Sequence, residues 1–342
     1  MRQLLNTLFI TTQGAYVSRE GETVLVRADG EKKLQIPVHT LGGIVCFGQV
    51  SCSPFLMGLC AERQVSVSFL TEHGKFLARV QGPVSGNVLL RREQYRRADD
   101  EQHSANLAQA FVLAKVANSK IVLQRGRRDH PGDASGAIGS VLTALSRVIT
   151  ELRQQEELDV VRGREGDAAR LYFGVLGHLI TAQREDFFFH ERSRRPPLDN
   201  VNALLSFLYT LLVHDTAAAL ESVGLDPAVG YLHRDRPGRP SLALDLMEEF
   251  RAFLVDRLVL SLINRQQVGA EGFRASESGG VVMDDRTRKA VLVAWQKRKQ
   301  EEIQHPFLGE KVPIGLLPYV QALLLARYLR GDLDGYPPFI WR

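Results

Sequence analysis

Short apolar runs separated by turn signals fill the first ninety residues of the chain. This spacing is typical of β-strands in a small sandwich or rolled sheet. One short helix is predicted inside the region, at 54–62, where the apolar side chains fall on one side, and a closing hairpin is predicted around 72–75. The predicted strands are 8–10, 15–17, 23–26, 33–38, 43–47, 65–70 and 76–80.

The period of the apolar positions changes to that of helices near residue 104. A loop rich in Gly, Pro and Asp is predicted at 129–139, after the first long helix. We therefore predict an α+β protein with three parts: a β-sandwich-like domain over 1–90, a linker over 91–103 and a larger all-helical domain over 104–342. The further predicted helices are 140–157, 165–181, 198–223, 241–264, 285–302 and 313–330.

The composition is that of an ordinary globular protein. The chain has 342 residues, of which 44% are hydrophobic and 24% charged, and this excludes a mainly disordered or collagen-like chain. Its length exceeds the roughly 250–300 residues at which single cores stop growing, which agrees with two domains.

The sequence predicts no membrane helix and no secretion signal. No run reaches the ~18 uninterrupted apolar residues of a membrane helix, and the N-terminus lacks the pattern of a signal peptide. The three cysteines contain no CxxC pair, which argues against a disulfide framework or a cysteine zinc site. We expect a cytoplasmic protein with reduced thiols.

The net charge of +4 is small, but the basic residues are clustered. Arginine dominates these clusters, and its planar fork suits phosphate groups. Each cluster taken alone is also compatible with a solvated face paired with nearby acids, whereas five clusters together favour a surface for a polyanion. The clusters are 91–92 with 96–97, 125 with 127–128, 192 with 194–195, 234 with 236 and 239, and 297–299.

Three segments of the helical part combine acids, a histidine and small residues. Segment 164–173 contains Glu165, and segment 224–233 ends in His233. Segment 241–251 carries Asp245 and Glu248, which are three residues apart and therefore share a face of the predicted helix.

Each segment alone has an ordinary structural explanation. Glu165 is compatible with an acid in the first turn of a helix, where the dipole favours it. His233 is compatible with a structural residue, and the paired acids of 241–251 with compensation by Arg251. Together the segments supply carboxylates and one imidazole, a set that suits Mg²⁺ or Mn²⁺ better than zinc and serves phosphodiester chemistry.

The ordered motifs identify a family. The chain resembles the CRISPR-associated integrases of the adaptation stage, which install new spacers. Residues 4–8 and 192–202 are similar to the branch attached to subtype I-C systems. The motifs that carry the resemblance are Glu165-Gly166-x-Ala168-Ala169-Arg170-x-Tyr172-Phe173, then Asn202-Ala203-Leu204-Leu205-Ser206-Phe207-x-Tyr209, then Gly224-Leu225-Asp226-Pro227 to His233, and Leu242-x-Leu244-Asp245-Leu246-x-Glu248-x-Phe250-Arg251.

This resemblance implies a β domain that dimerises and a helical catalytic domain that holds Mn²⁺ or Mg²⁺. By motif position the implied catalytic residues are Glu165, His233, Glu248 and Asp245. The implied metal ligands are Glu165, His233 and Glu248, with Asp245 beside the site; either Glu248 or Asp245 could bind the metal directly, and Glu248 is favoured. The implied reaction is transesterification, in which the 3′-hydroxyl of a captured DNA fragment attacks a phosphodiester at the edge of a repeat. The implied partners are double-stranded DNA, a second copy of the chain and a small ferredoxin-like companion protein.

Arginines near these motifs are the predicted DNA contacts. Two clusters lie in predicted loops next to the catalytic motifs, and two further arginines lie inside the motifs. The predicted DNA-binding residues are Arg170, Arg192, Arg194, Arg195, Arg234, Arg236, Arg239 and Arg251. Two other functions remain open on the residues alone: a non-catalytic DNA-binding scaffold, and a metal hydrolase of a small phosphoester, which needs a deep closed pocket.

Overall fold

Two four-stranded sheets and one short helix form the N-terminal part of the protein. The computed structural model describes residues 6–82, 88–129, 135–154, 156–277 and 279–341. The predicted strands and the predicted helix are present, together with one further short strand. The elements are β1 (Asn6–Ile10), β2 (Tyr16–Glu20), β3 (Thr23–Ala28), β4 (Glu31–Pro37), β5 (Leu41–Phe47), β6 (Ser51–Cys52), α1 (Pro54–Glu62), β7 (Ser66–Leu70) and β8 (Phe76–Val80).

The central strand β5 is buried on both of its faces. One sheet has the order β1-β5-β7-β8 and the other β4-β3-β2-β6. Because side chains alternate along a strand, Ile44 and Cys46 enter the core between the sheets, whereas Val45 and Phe47 enter the core of the helical part. The ring of Phe47 stacks on that of Phe207 with centroids 5.9 Å apart. The two parts of the protein are therefore packed directly onto each other.

The remainder of the chain is mainly helical. The second helix of this part, α3 (Glu101–Asp129), has 29 residues and extends over roughly 43 Å. The helices are α2 (Val88–Asp99), α3 (Glu101–Asp129), α4 (Ser135–Glu151), α5 (Leu158–Leu176), α6 (Asn200–Ser222), α7 (Ser241–Met247), α8 (Arg257–Asn264), α9 (Asp285–Gln300) and α10 (Leu317–Leu329).

The structure differs from the sequence prediction at several places. Residues 91–103, the predicted linker, are almost entirely helical, and part of the predicted loop at 129–139 lies outside the described residues. Helix α5 begins seven residues earlier than predicted. Two small hairpins were not predicted, Phe273–Ala275 with Val281–Met283 and Glu302–Gln304 with Lys311–Pro313.

The helix predicted over 241–264 is broken at its centre. Helix α7 ends at Met247, a turn follows, and Arg251–Asp256 forms a π-helix before α8 begins. Glu248, Glu249 and Asp256, which lie in this broken stretch, are all buried. A π-turn inside a helix is frequent at functional sites, and in the turn just before it Glu248 contacts Lys115 whereas Glu249 contacts Tyr336.

One described helix resembles a membrane span in its length and composition. Among the described residues, Asn200–Ser222 is long and apolar enough for such a span by length and composition. However, 67% of its most apolar window is buried inside the protein. Its fully buried leucines belong to the core of the helical part, which accounts for its composition.

Candidate metal and DNA site

Two of the predicted site acids meet at one lysine. Glu165 projects from the middle of α5, and Glu248 follows the last residue of α7. The ammonium group of Lys115 on α3 forms an ion pair with Glu165 Oε1, and its Nζ lies 2.8 Å from Glu248 Oε2. Glu165 is not in the first turn of its helix, so it is not a helix-end charge. Its carboxylate is paired with the side chain of Lys115 instead.

Glu248 is buried among positive charges. Its Oε1 lies 3.2 Å from the guanidinium of Arg251, and only 3% of its side chain is exposed. Burial alone would raise the pKa of Glu248, but the charges of Arg251, Lys115 and His233 outweigh burial and lower this pKa to about 2. Glu248 is therefore a carboxylate throughout the physiological pH range, and His233 lies close enough to influence it.

His233 is held in place by Asp245. Asp245 Oδ1 lies 2.6 Å from the ring Nδ1 of His233 and accepts the backbone N–H of the same residue at 3.0 Å. Its Oδ2 accepts the backbone N–H groups of Tyr231 at 2.6 Å and Leu232 at 3.0 Å. Since both oxygens of this fully buried carboxylate are used, Asp245 orients the imidazole, and Nε2 is the nitrogen that remains for a ligand.

Gly230 permits this close packing. A Cβ atom at this position would lie 2.7 Å from the side chain of Ser241 and 2.8 Å from Asp245 Oδ2. Any larger residue would therefore push the 231–233 segment away from the carboxylate that organises it.

The predicted ligands do not form a preassembled metal cage. Within the ranges that the structure describes, no three His, Cys, Asp or Glu side chains are grouped closely enough to hold a metal ion. A cation nevertheless stands between two of the acids, namely the Lys115 ammonium. Its contact with Glu248 Oε2 is an ion pair without a well-aligned hydrogen bond.

A second polar network lies behind the site. Asp256 at the end of the π-helix accepts hydrogen bonds from Tyr209 Oη at 2.5 Å and Tyr172 Oη at 2.9 Å. Burial raises the pKa of Asp256 to about 6, although both donors oppose this shift. The guanidinium of Arg251 lies 4.8 Å from the centre of the Tyr209 ring, so this network supports the arginine that contacts Glu248.

Two arginine loops, one with Arg194 and Arg195 and the other with Arg236 and Arg239, lie beside the site. Burial lowers the pKa of Arg239, and the charge of Arg236 in the same loop adds to this effect. The charges of Arg194 and Arg195 in the other loop act in the same direction, whereas that of Asp245 opposes them, so each of these groups lies within electrostatic reach of Arg239. This accumulation of like charges is unfavourable within the protein and favours an external anion.

The other predicted DNA contacts have partners within the protein. Arg192 is directed inward, where it donates to Asn202 Oδ1 at 2.6 Å and Ser206 Oγ at 3.0 Å. Arg234 lies 3.2 Å from Asp159, and Arg170 lies 3.3 Å from Asp167, both pairs being exposed. Arg251 is turned onto Glu248, as described above.

A cleft adjoins the Lys115 position. It is narrow and partly open to solvent. Lys115, Arg194 and Arg251 line it together with Tyr172, Tyr209 and Asp256. The cleft therefore brings Lys115 and Arg251, which contact the acids of the site, next to Arg194 of one arginine loop.

Sequence reasoning did not identify Lys115 or Asp256. Both had a visible signal, since each is a charged residue within an otherwise apolar helical stretch. A charge that folding buries in this way normally has a partner. The partners of Lys115 and Asp256, however, are 47 to 133 residues away in the chain, which hides them from a reading of local pattern.

Comparisons with curated proteins match the whole chain. The family model described as CRISPR associated protein Cas1 matches residues 8–297. A CRISPR-associated endonuclease Cas1 from Chlorobaculum tepidum is 57% identical over 343 residues, which is all of both chains. Another from Rhodospirillum rubrum is 53% identical over 347 residues, again with both chains fully covered.

Comparisons with solved structures match the fold. A CAS1 protein from Thermotoga maritima superposes with a TM-score of 0.81 at 23% identity, covering 97% of this chain and 99% of the other. A casposase bound to integration product gives a TM-score of 0.83 at 23% identity, with 99% and 95% covered. A chain of a Cas6-RT-Cas1–Cas2 complex gives 0.82 at 22% identity, with 99% and 36% covered.

Proposed function

Because the chain belongs to the Cas1 family of CRISPR-associated proteins, we propose that it is a metal-dependent DNA endonuclease and integrase. Its task is the insertion of foreign DNA fragments as new spacers into a CRISPR array in the cytoplasm. The observation that carries this proposal is the pair of acids, Glu165 and Glu248, gathered around one buried cation next to two arginine loops. Residues 4–8 and 192–202 support assignment to the subtype I-C branch.

The side chains of the site fit a divalent metal ion. Glu165 and Glu248 present carboxylate oxygens to a single cationic point, and one of these oxygens has no well-aligned hydrogen bond. Two carboxylates and the imidazole Nε2 are the donors that Mn²⁺ or Mg²⁺ accepts. We propose Glu165, His233 and Glu248 as the ligands. When bound, such an ion stabilises negative charge on the attacking and leaving oxygens of a phosphodiester.

Asp245 acts on the reaction through His233. It accepts a hydrogen bond from Nδ1–H, and in this tautomer the lone pair of Nε2 is available to a metal ion while the ring is held in place. Asp245 is therefore a positioning residue in this proposal, although the sequence placed it among the catalytic residues. His233 serves as a ligand and not as a general base.

The arginine loops hold and orient the DNA backbone. Arg194 lines the cleft, and Arg194, Arg195 and Arg236 lie within electrostatic reach of Arg239, which supports a role of these four arginines in phosphate contacts that do not read base sequence. A 3′-hydroxyl held in the cleft would attack the phosphodiester of a repeat. The attacking hydroxyl gives up its proton as its oxygen forms the new ester bond to phosphorus, the bond from phosphorus to the old 3′-oxygen breaks, and that oxygen takes up a proton.

We propose two protein partners. The first is a second copy of the chain, bound through the β domain, where Leu77 on strand β8 is 57% exposed and Phe55 on α1 is 80% exposed. The second is the small ferredoxin-like companion protein, which the presence of Cas2 in the complex of the related fold supports.

One experiment tests the proposed function. The protein is incubated with a supercoiled plasmid that carries a repeat, a DNA fragment with free 3′ ends, and Mn²⁺, and joined products are measured. We expect joining by the wild type and none by Glu165→Gln or His233→Ala. The matched control Asp167→Asn changes an exposed acid on the same helix as Glu165 and should keep the wild-type rate.

The alternatives give different results in the same experiment. A non-catalytic scaffold binds DNA equally well after loss of Glu165 and His233 and produces no joined strands. A hydrolase of small phosphoesters turns over a small substrate but not the plasmid.

A further inference from the structure

Lys115 occupies the point at which the two site acids meet. It belongs to α3, whereas the acids come from α5 and from the turn after α7. Only 11% of its side chain is exposed, and its ammonium contacts both Glu165 and Glu248. An ammonium group is a compact point charge, so it occupies this position in the manner of a small cation.

The formal charges of this group already balance. Glu165 and Glu248 carry two negative charges, and Lys115 with Arg251 carries two positive charges. A divalent ion added to this arrangement would leave two surplus positive charges, of which the nearby Asp245 carboxylate offsets one, and the remaining surplus in a largely buried place is costly. Metal binding is therefore favourable only if one of the protein's own cations moves away.

Lys115 is the cation that can move. Arg251 is held by Glu248 on one side and by the Tyr209 ring on the other. Lys115 has a flexible four-carbon stem. It also lines the cleft that Arg194 and Arg251 share, so its ammonium has a route away from the acids.

We propose that Lys115 is a tethered counter-ion that exchanges partners during the reaction cycle. In the metal-free protein it holds the two acids together. When the metal ion binds, the ammonium leaves the acids and turns into the cleft, where it pairs with a phosphate of the bound DNA. This inference rests on the proposed metal site and adds that metal and lysine compete for the same carboxylates.

The test measures metal binding without DNA and without turnover. Mn²⁺ is titrated into the wild type, Lys115→Met and Lys120→Met, and the dissociation constant is obtained by calorimetry. Lys120 lies on the same helix and is the matched control. We expect Lys115→Met to bind Mn²⁺ at least tenfold more tightly than the wild type, and Lys120→Met to remain within twofold.

The second half of the test uses DNA with Mn²⁺ present. We expect Lys115→Met to bind duplex DNA more weakly, and the slope of log affinity against log salt to fall by about 0.9, the value for one phosphate contact. Lys115→Gln is measured alongside, because its amide can still hydrogen-bond the acids if the methionine variant folds poorly without metal. The same two changes are expected for it.

The outcomes separate this inference from the proposed function. Mn²⁺ affinity that is unchanged or weaker in both Lys115 variants would overturn the counter-ion role, while the metal site itself would stand. Tighter Mn²⁺ binding with an unchanged salt slope would overturn the transfer to phosphate. Absence of Mn²⁺ binding in the wild type and in every variant would remove the proposed metal site together with the inference.

Discussion

Replacing Asp245 by asparagine changes one atom at a point where four hydrogen bonds converge. The carboxylate is fully buried, and each of its oxygens serves two donors. Asparagine retains only one oxygen. Its amide nitrogen must therefore face either the backbone N–H groups of Tyr231 and Leu232 or the backbone N–H and ring Nδ1 of His233.

The second orientation costs less. It leaves one buried backbone N–H without an acceptor, at about 1–3 kcal/mol, whereas the first leaves two. It also requires His233 Nδ1 to accept a hydrogen bond from the amide. The ring proton then moves to Nε2, the nitrogen proposed to bind the metal. We expect a loss of about 1–3 kcal/mol in unfolding free energy and a 10–100-fold loss in metal affinity.

The assays for Asp245→Asn separate stability from ligation. Thermal unfolding of the metal-free protein should shift down by about 1.4 °C per kcal/mol, given the unfolding entropy of a chain of this length. Calorimetry measures Mn²⁺ affinity, and nitrogen NMR of the metal-free protein reports which imidazole nitrogen carries the proton. Asp167→Asn, an exposed acid paired with Arg170, should change none of these.

Two results would refute the reasoning about Asp245. One is an Asp245→Asn protein that binds Mn²⁺ within twofold of the wild type. The other is a His233 ring that still carries its proton on Nδ1 in that variant, since the amide would then not have replaced the carboxylate as described.

Three further predictions follow from the buried polar groups and the loops. Asn118→Ala should lower the unfolding free energy in urea by about 3 kcal/mol or more, because Asn118 satisfies the Glu249 and Phe339 carbonyls and the Trp341 N–H; a loss below 1 kcal/mol would contradict this. The pKa of Asp256 is raised from 3.8 to about 6, so its contribution to stability is complete below pH 3.8 and is lost as the pH rises through 6. Between pH 4 and pH 7 the wild type should therefore lose up to about 3 kcal/mol of unfolding free energy relative to Asp256→Asn. A difference between the two proteins that stays constant over this pH range would show that Asp256 does not titrate there. The double variant Arg236→Gln/Arg239→Gln should reduce the salt slope of DNA binding by up to about 1.8, whereas Arg19→Gln/Arg63→Gln, which removes two arginines beside Glu22 in the β domain, should leave the slope unchanged.

The strands of the first part could be predicted because their signals are local. Turn dipeptides and alternation of side chains act over a few residues, and the predicted strands 43–47 and 65–70 nearly coincide with β5 and β7. The break of the helix predicted over 241–264 could not be found in this way. It depends on Glu249 and Asp256, whose partners include Tyr336 and Tyr172, far away in the chain.

The site could be predicted only as a set of residue types. The motifs drew attention to Glu165, His233 and Glu248, and the role of these residues stays a prediction. Their arrangement depends on Lys115, which reaches Glu165 across 50 residues of sequence. No periodicity links the two, because the contact arises from the packing of α3 against α5 and not from either helix alone.

The burial of β5 on both faces bears on how the protein can be divided. Val45 and Phe47 belong to one core, while Ile44 and Cys46, their neighbours in the same strand, belong to the other. Loss of either core would expose one face of a strand that the other core needs, so the two parts should melt together in a single calorimetric transition. We therefore expect that the protein does not divide into two independently folding parts near residue 90, where the secondary structure changes. A β domain exchanged from a relative would need side chains on the outer face of β5 that match the core of the helical part.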